Sequence, residues 1–274
     1  MCIRDRSTTG RTILKLLEPT SGKIIFDGQD ITGYSRKQMR SLRREMQMVF
    51  QDPFSSLDPR QTVSQLISEP IIEHKLLKTK SDIEKRTLKL METVGLAERY
   101  INVYPHELDG GRRQRIGIAR ALAVEPKLIV CDEPVSALDV SIQAQILNLL
   151  RQLQQDMGLT YIFITHDLSV VKYFSDDIAV MYLGQMVEKA PSDLLFKNPI
   201  HPYTKALLSA IPLPVVGKDK PKRQLIKGEI TSPVNLPDEC RFGKRCDYVQ
   251  ECCKKGNPQL REIEPNHFVA CSCV

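Results

Sequence analysis

The sequence predicts an α/β fold in which helices cover both faces of a parallel β-sheet. Two short apolar segments, residues 127–131 and 161–165, are separated by a long amphipathic segment over residues 139–157. Wholly apolar strands are typical of sheets buried on both faces, and a helix between two such strands indicates a βαβ unit with a parallel pair. The 42% hydrophobic and 26% charged residues are an ordinary globular composition, which excludes intrinsic disorder.

The other elements follow from the same two periodicities. In the long segment, apolar side chains recur at helical spacing and predict one buried face, formed by Ile142, Ile146, Leu149, Leu150, Leu153 and Met157. Along the chain, the predicted strands cover residues 23–26, 47–50, 127–131, 161–165 and 178–182. The predicted helices cover residues 12–17, 81–94, 116–123, 139–157 and 168–174.

Composition divides the chain near residue 212. Ten of the 17 prolines lie between Pro191 and Pro265, and six of the eight cysteines lie between Cys240 and Cys273. We therefore expect a first domain over residues 7–212, with a helical subdomain at about 60–122, and a Pro- and Cys-rich extension over residues 213–274. Because there is neither an 18-residue apolar run nor a secretory signal, we expect no membrane span and no disulfide framework.

The charge balance argues against a nucleic-acid partner. The chain carries a formal charge of +6 from 39 basic and 33 acidic residues, without a long basic block. Aromatic residues make up only 6% and tryptophan is absent, so a surface that stacks bases is not predicted. We interpret the excess positive charge as a solvated surface.

Two acids, Asp132 and Glu133, follow the first buried strand. Ligands of parallel sheets bind beyond the carboxyl ends of the strands. Asp132 is placed there to hold a phosphate-bound Mg²⁺, directly or through water, and Glu133 to orient or deprotonate a water molecule. Taken alone, the two acids are equally consistent with a simple turn from strand to loop.

Neighbouring segments supply the other groups that such a site needs. The next buried strand leads to His166, which we expect at the same sheet edge, donating to a γ-phosphate oxygen or holding the attacking water. Asp109, Gly110, Gly111 and Arg112 precede a helical run, where backbone amides and the helix dipole form an anion site. The pattern therefore predicts a phosphate-binding edge.

Taken together, these segments resemble the ATP-binding subunits of ABC transporters, in the oligopeptide/dipeptide importer subgroup. Residues 48–59, MVFQDPFSSLDP, resemble the Q-loop, with Gln51 as its glutamine. Residues 108–112 resemble the signature loop, residues 127–134 the Walker B strand and residues 136–139 the D-loop. His166 resembles the switch histidine, and residues 198–208 resemble the subgroup's carboxy-terminal stretch. The resemblance spans residues 7–273.

The resemblance implies an ABC-type P-loop NTPase fold that hydrolyses ATP with Mg²⁺ to energise the import of oligopeptides or dipeptides. It implies that Glu133, His166 and Gln51 carry the chemistry, with Glu133 as general base and Gln51 as the sensor that links Mg²⁺ and water to the membrane subunits. Mg²⁺ is then assigned to Ser7 and Asp132. The residues implied for nucleotide binding are Ser7, Thr8, Asp132, Asp109, Gly110, Gly111, Arg112 and Asp139.

The resemblance also implies an assembly. Two ATP-binding subunits, identical or homologous, are expected to pack head to tail and to trap two ATP molecules. Their partners are two transmembrane permease subunits and, through these, an extracytoplasmic peptide-binding protein. The subunit is accordingly expected as a peripheral protein on the cytoplasmic face of the plasma membrane.

The start of the chain departs from the family pattern. A phosphate loop reads G-x-x-x-x-G-K-[ST], and Ser7 and Thr8 match its hydroxyl end, but Asp5 and Arg6 stand at the Gly-Lys positions with no glycine before them. We expect residues 1–6 to be non-native or mis-translated sequence joined to an N-terminally truncated subunit. Weak ATP binding by this chain is the expected consequence.

The signature loop departs as well. The family usually has serine before the glycine pair and glutamine after it, where this chain has Asp109 and Arg112. A carboxylate at the first position repels a γ-phosphate unless Arg112 or Arg113 neutralises it. This half of the composite site is therefore expected to be weak, or to bind through the amides of Gly110 and Gly111 alone.

The cysteine-rich extension predicts a metal site. Four thiols form the predicted ligand set, Cys240, Cys246, Cys253 and Cys271. Cys252 and Cys273 are spare neighbours. Tight C-x-x-C pairs, which favour zinc, are absent, and the resembling subgroup's tail is associated with a [4Fe–4S] cluster. A [4Fe–4S] cluster is therefore the preferred interpretation, while Zn²⁺ and free thiols remain alternatives.

Two other functions stay open on the sequence alone. The first is a soluble ABC-type ATPase that handles nucleic acid, which the importer-like segment around Gln51 and the weak basic balance disfavour. The second is a catalytically deficient fragment that keeps the helical subdomain, the Walker B strand and the tail but has no working phosphate loop.

Overall fold

The computed structural model describes residues 4–211, 226–228, 232 and 234–274. Its strands are β1 (Ile25–Phe26), β2 (Gln29–Asp30), β3 (Met46–Val49), β4 (Leu128–Asp132), β5 (Thr160–Ile164), β6 (Asp177–Tyr182), β7 (Gln185–Pro191), β8 (Arg261–Glu264) and β9 (His267–Val269). Its α-helices are α1 (Arg4–Ile13), α2 (Arg36–Leu42), α3 (Pro53–Ser56), α4 (Val63–Glu73), α5 (Lys80–Thr93), α6 (Gly110–Leu122), α7 (Val140–Met157), α8 (Leu168–Phe174), α9 (Ser192–Lys197) and α10 (Pro202–Ser209).

The described residues form two packing units, which we treat separately. One comprises residues 7–166, and the other comprises residues 4–6 with those from Asp167 onward. The predicted boundary near residue 212 lies outside the described residues, whereas packing separates the chain at residues 166 and 167. None of the described helices is both long and apolar enough to cross a membrane.

The first unit contains the predicted parallel sheet. Its strand order is β3-β4-β5, and both pairings are parallel, with Val49 opposite Cys131 and Asp132 opposite Ile164. All five residues of β4 are buried, as its apolar run predicts. Strand β4 is therefore central, and its carboxyl end carries Asp132.

The helical subdomain of this unit is formed by α4, α5 and α6, which pack against one another. Fully buried apolar side chains join these helices, among them Leu66, Ile67, Ile71, Met91, Ile116, Ile118 and Leu122. Thr62 begins α4 with a capping box, in which its hydroxyl accepts from the Gln65 amide and the Gln65 side chain accepts from the Thr62 amide. These contacts fix α6 against α4 and α5.

Two predicted elements extend more than one residue beyond their counterparts in the structure. The predicted helix at 12–17 is wrong beyond Ile13, because Lys15 adopts φ +53° and its buried ammonium donates to the Thr32 carbonyl oxygen at 2.5 Å. The strand predicted at 23–26 shortens to β1, since the Ile24 amide donates to the Thr32 hydroxyl at 2.7 Å and not to a backbone carbonyl of the paired strand.

The predicted buried face of α7 is correct for Ile146, Leu149, Leu150 and Leu153. Ile142 is only partly buried, and Met157 is 40% exposed, so its assignment to the buried face is wrong. The reason is that α7 ends at Met157, where Gly158 takes φ +65° and turns the chain away.

The second unit is built on an antiparallel sheet of strand order β6-β7-β9-β8. Aromatic rings close its core, with the Tyr182 and Phe242 ring centroids 5.2 Å apart and the Tyr203 centroid 4.7 Å from that of Tyr182. The stretch at residues 198–208 forms the short link after α9 and most of α10 in this unit. Sequence periodicity predicted β6 but gave no sign of β7, β8 and β9.

A buried carboxylate joins three segments of the second unit. Glu188 on β7 and His267 on β9 are both 0% exposed, and the Glu188 Oε1 lies 2.7 Å from the His267 Nε2. Glu188 also accepts from the backbone amides of Ile200, at 2.7 Å, and His201, at 3.1 Å. One side chain therefore ties the sheet to the link before α10.

We expect Glu188→Ala to destabilise the protein by about 3–5 kcal/mol, because it leaves the buried His267 ring and the amides of Ile200 and His201 without their shared partner. Thermal and urea unfolding of the full chain measure this loss. Glu251→Ala is the matched control, since its ion pair with Lys254 is exposed and is expected to contribute less than ~1 kcal/mol. Equal stability of the two variants would contradict the assigned role of Glu188.

Candidate functional site

The acidic pair at the end of β4 is buried. Asp132 is 1% exposed and Glu133 is 3% exposed. The Glu133 backbone takes φ +46°, a conformation that costs a non-glycine residue free energy, and its amide donates to the Ile164 carbonyl oxygen at 2.9 Å. This strained turn directs the chain out of the sheet immediately after Asp132.

Two further predicted residues converge on the Glu133 carboxylate. The Gln51 amide Nε2, in the loop after β3, donates to the Glu133 Oε2 at 2.9 Å. The His166 Nδ1, after β5, lies 3.1 Å from the Glu133 Oε1. Residues that follow three adjacent strands thus meet at one carboxylate, as the parallel topology predicts. Gln51 is exposed and the His166 side chain is 48% exposed, so the group opens to solvent.

Ser7 lies on α1 beside Asp132. Its hydroxyl donates to the Asp132 Oδ1 at 2.6 Å, which brings two hard oxygen atoms together at the edge of the sheet. Mg²⁺ prefers such oxygens and usually takes only one or two protein ligands, so the donor set fits this ion. Thr8 lies in the next position of α1 with an exposed side chain.

The signature-like loop begins α6. Asp109 is the N-cap residue, and its Oδ1 accepts from the Arg112 amide at 2.8 Å. The Arg112 Nη1 donates to the Asp109 Oδ2 at 2.5 Å, and the Arg112 guanidinium lies 5.0 Å from the centre of the Tyr100 ring. Of the two arginines considered in the sequence analysis, Arg112 is therefore the one that pairs with Asp109 and offsets part of its charge.

Gly111 is required by packing against α7, and Gly110 packs tightly against the segment that leads into that helix. A Cβ atom on Gly111 would lie 2.6 Å from the Ile142 Cγ2, and one on Gly110 would lie 3.0 Å from the Leu138 Cδ2. The signature-like loop and the D-loop-like segment therefore lie side by side. Asp139 holds the N-cap position of α7 with an exposed side chain that makes no capping bond.

Sequence reasoning missed the groups that hold the Glu133 turn. The Ser136 hydroxyl donates to the Glu133 carbonyl oxygen at 3.2 Å, and the Gln143 amide donates to the Val135 carbonyl oxygen at 2.9 Å. Gln143 lies four residues after Asp139 at the start of α7 and carries no motif that marks it. The only sequence feature that indicates this turn is the serine three residues after Glu133, a spacing at which a hydroxyl can bond to the backbone of a turn.

The tail cysteines gather in the second unit. A cavity of about 220 Å³ is lined by Cys240, Cys246, Cys253, Cys271 and Cys273, among other residues. All four predicted ligands thus line one cavity. Cys273, which is not among the predicted ligands, lines it as well. The described cysteines, including Cys252, form no disulfide.

Burial sets the protonation of these thiols. It raises the pKa of Cys240 and of Cys246, which are partly buried and lie among other thiols. The pKa of Cys273 is raised to about 12, first by its hydrogen bond with Cys253 and then by burial. These three thiols therefore stay protonated near neutral pH, and a metal ion that binds them has to displace their protons.

Comparison with known proteins gives a consistent result. Residues 6–136 match the family model described as ABC transporter, and residues 187–253 match the one described as oligopeptide/dipeptide transporter, C-terminal region. The oligopeptide transport ATP-binding protein AppF of Bacillus subtilis (strain 168) is 50% identical over 268 residues, which cover 97% of this chain and 81% of AppF.

Solved structures agree with the fold. The cbiO1 protein of Clostridium perfringens, part of the ABC transporter complex cbiONQ, matches with a TM-score of 0.64 at 31% identity, over 71% of this chain and 76% of cbiO1. The ATP-binding cassette MJ0796, in a dimeric post-hydrolysis state bound to ADP and Pi, matches with a TM-score of 0.62 at 30% identity, over 68% of this chain and 80% of that one.

Proposed function

This chain belongs to the ABC transporter family, among the ATP-binding subunits of oligopeptide/dipeptide importers, and we propose that it acts by hydrolysing ATP to energise peptide import. The single observation that carries the chemical part is the meeting of Gln51 and His166 at the Glu133 carboxylate. This arrangement supplies a general base between two polar groups that position it. The identity to AppF carries the assignment to peptide transport.

In the proposed reaction, Glu133 accepts the proton of the water that attacks the γ-phosphate. Both of its oxygen atoms are engaged in the structure, one by Gln51 and one by His166. A carboxylate oxygen can accept two hydrogen bonds, so each oxygen keeps a lone pair with which to bind and deprotonate the attacking water. Gln51 is the group proposed to report the presence of the nucleotide and this water to the rest of the transporter, and His166 can turn its other ring nitrogen toward a phosphate oxygen.

Ser7 and Asp132 are the residues proposed to hold Mg²⁺. When bound, the ion stabilises negative charge on the phosphates. Asp132 is fixed by its position at the end of the central strand and by the Ser7 hydroxyl. Such positioning and charge stabilisation account for most of the catalysis in phosphoryl transfer.

We extend the proposal to the assembly. A second ATP-binding subunit packs head to tail, so that Gly110 and Gly111 of one subunit face the nucleotide held by the other. Two transmembrane permease subunits and an extracytoplasmic peptide-binding protein complete the transporter, and the subunit works at the cytoplasmic face of the membrane. Support comes from the importer-type match at residues 187–253 and from the exposed loop around Gln51.

We further propose that the tail holds a [4Fe–4S] cluster through Cys240, Cys246, Cys253 and Cys271. The observation in favour is the cavity that these four residues line, which offers room for a group larger than a single ion. A Zn²⁺ ion at the same four thiols is the alternative. Visible absorption of protein purified without oxygen distinguishes the two, since zinc is colourless.

A hybrid protein tests the import function. In this hybrid, the part of AppF that precedes its match to Ser7 is joined to residues 7–274 of this chain, and the product replaces AppF in Bacillus subtilis. We expect restored uptake of a peptide that only the AppF transporter imports, and loss of uptake when the hybrid carries Glu133→Gln. A folded hybrid that hydrolyses ATP but restores no uptake would reject the peptide-import assignment.

Asp109→Ser in the same hybrid is expected to raise the ATP hydrolysis rate by roughly tenfold, because it removes a negative charge from the loop that approaches the γ-phosphate. Arg112 already offsets this charge, so the gain stays near the low end of what one charge contributes at such a site. Steady-state phosphate release measures the effect. Asp156→Ser, an exposed carboxylate on α7, is the control, and an unchanged rate for Asp109→Ser would show that the ion pair fully cancels the repulsion.

A further inference from the structure

Three tail thiols lie closer together than the rest of the cysteines. The Cys273 Sγ is 3.5 Å from the Cys252 Sγ and 3.4 Å from the Cys253 Sγ, and all three sulfur atoms lie within 4.8 Å of one another. Cys253 is buried, Cys252 is partly buried and Cys273 is exposed, so the group is open to solvent on one side. We call Cys252, Cys253 and Cys273 the thiol triad.

The spacing of the triad suits a single metal ion. Thiolates bind zinc at about 2.3 Å, which places two sulfur ligands of a tetrahedral ion about 3.8 Å apart. The two measured sulfur distances need to lengthen by only a few tenths of an ångström to reach that value. Within the described chain, no other three metal-binding side chains bring their ligand atoms within 4.8 Å of one another.

The four-thiol set around the cavity differs in this respect. Cys240, Cys246 and Cys271 line the cavity with Cys253, but they do not form a group of that closeness. Wider spacing around an open volume suits a group with several metal atoms, whereas the triad suits one ion. The two sets therefore differ in the size of the metal group that they suit, although Cys253 belongs to both.

We propose that the thiol triad binds a single divalent metal ion that prefers thiolate ligands, as Zn²⁺ does. This site is distinct from the four-thiol set around the cavity. Three thiols lose their protons to the solvent as three metal–sulfur bonds form, and the fourth position is left for a water molecule. Soft thiolates exclude Mg²⁺ and Ca²⁺. Because Cys253 is shared, a zinc ion at the triad and a cluster at the four-thiol set exclude one another. The site is independent of the proposed ATPase activity.

Zinc titration of the full chain tests this site. The protein is purified with a phosphine reductant, stripped of metal, and titrated with Zn²⁺ against a colorimetric chelator; Co²⁺ serves as a spectroscopic probe of sulfur ligation. We expect one Zn²⁺ per chain, with an affinity at least ~10-fold lower in Cys252→Ser and in Cys273→Ser. Cys240→Ser and Cys246→Ser, matched thiol losses outside the triad, are expected to bind Zn²⁺ as the unchanged chain does.

The same variants separate the triad from the cluster. Reconstitution with iron and sulfide is expected to give a visible chromophore in Cys252→Ser and Cys273→Ser, to fail in Cys240→Ser and Cys246→Ser, and to be blocked by Zn²⁺ bound to the unchanged chain. The proposal is overturned if Cys252→Ser and Cys273→Ser bind Zn²⁺ unchanged, or if zinc binding is lost in Cys240→Ser and Cys246→Ser. It is also overturned if the unchanged chain binds no zinc.

Discussion

A polypeptide of these 274 residues is expected to bind ATP about 10³- to 10⁶-fold more weakly than the AppF hybrid described above. The residues before Ser7 contain neither glycine nor lysine, and Arg4, Asp5 and Arg6 are already helical in the structure. A phosphate loop offers several charge-assisted hydrogen bonds, each contributing ~1.5–3 kcal/mol, and losing three of them costs ~5–9 kcal/mol. At ~1.4 kcal/mol per decade, this cost gives the stated range.

Asp5 and Arg6 do not replace the lost contacts. The Asp5 carboxylate accepts from the Arg6 amide at 2.9 Å and from the Gly184 amide at 2.9 Å, and a carboxylate at this position of the sequence repels a phosphate instead of binding it. The Arg6 side chain ends in a planar guanidinium and not in a compact ammonium, so it cannot take the place of the phosphate-loop lysine. The start of α1 therefore lacks the groups that cradle a phosphate.

Isothermal titration with a non-hydrolysable ATP analogue measures the difference between the two proteins. Ser7→Ala is made in both, because the serine hydroxyl is expected to matter only where a phosphate and its Mg²⁺ are held. We expect Ser7→Ala to weaken binding in the hybrid and to change nothing in the 274-residue chain. Micromolar affinity in the 274-residue chain would contradict the prediction and show that other residues hold the nucleotide.

The catalytic edge was predictable from sequence for a topological reason. Parallel strands present their carboxyl ends on one side, so Asp132, Glu133 and His166 had to meet once residues 127–131 and 161–165 were read as buried strands. Gln51 came from the resemblance alone, since nothing in its local pattern indicates a contact with a residue 82 positions away. Alternation and spacing report which side of an element is buried, but they do not report which loops touch.

Other features depend on atomic packing that no periodicity carries. The positive φ of Glu133 follows from the turn that Ser136 and Gln143 hold. In the signature-like loop, Gly111 is required by the approach of Ile142, which becomes visible only once the side chains are placed. Sequence spacing likewise predicts Cys271, and not Cys273, as the fourth metal ligand. In the structure both residues line the cavity, because the chain turns after β9.

Glu133→Gln in the hybrid is expected to lower ATP hydrolysis by about 10²- to 10⁴-fold while leaving ATP affinity unchanged. The amide keeps the volume of the carboxylate, but it cannot accept a proton from the attacking water. Single-turnover phosphate release measures the rate, and titration with ATP measures the affinity. Glu92→Gln, an exposed acid on α5, is the matched control and is expected to change neither quantity.

The two neighbours of Glu133 make this prediction sharper. Gln51 donates to one carboxylate oxygen and the His166 ring nitrogen lies beside the other, but an amide at position 133 has only one oxygen with which to accept. Glu133→Gln therefore weakens one of the two contacts, and His166→Ala added to it is expected to reduce hydrolysis less than it does alone. Fully additive effects would show that His166 acts on the phosphate independently of Glu133. Normal turnover in the Glu133→Gln hybrid would contradict the role of Glu133 as the general base.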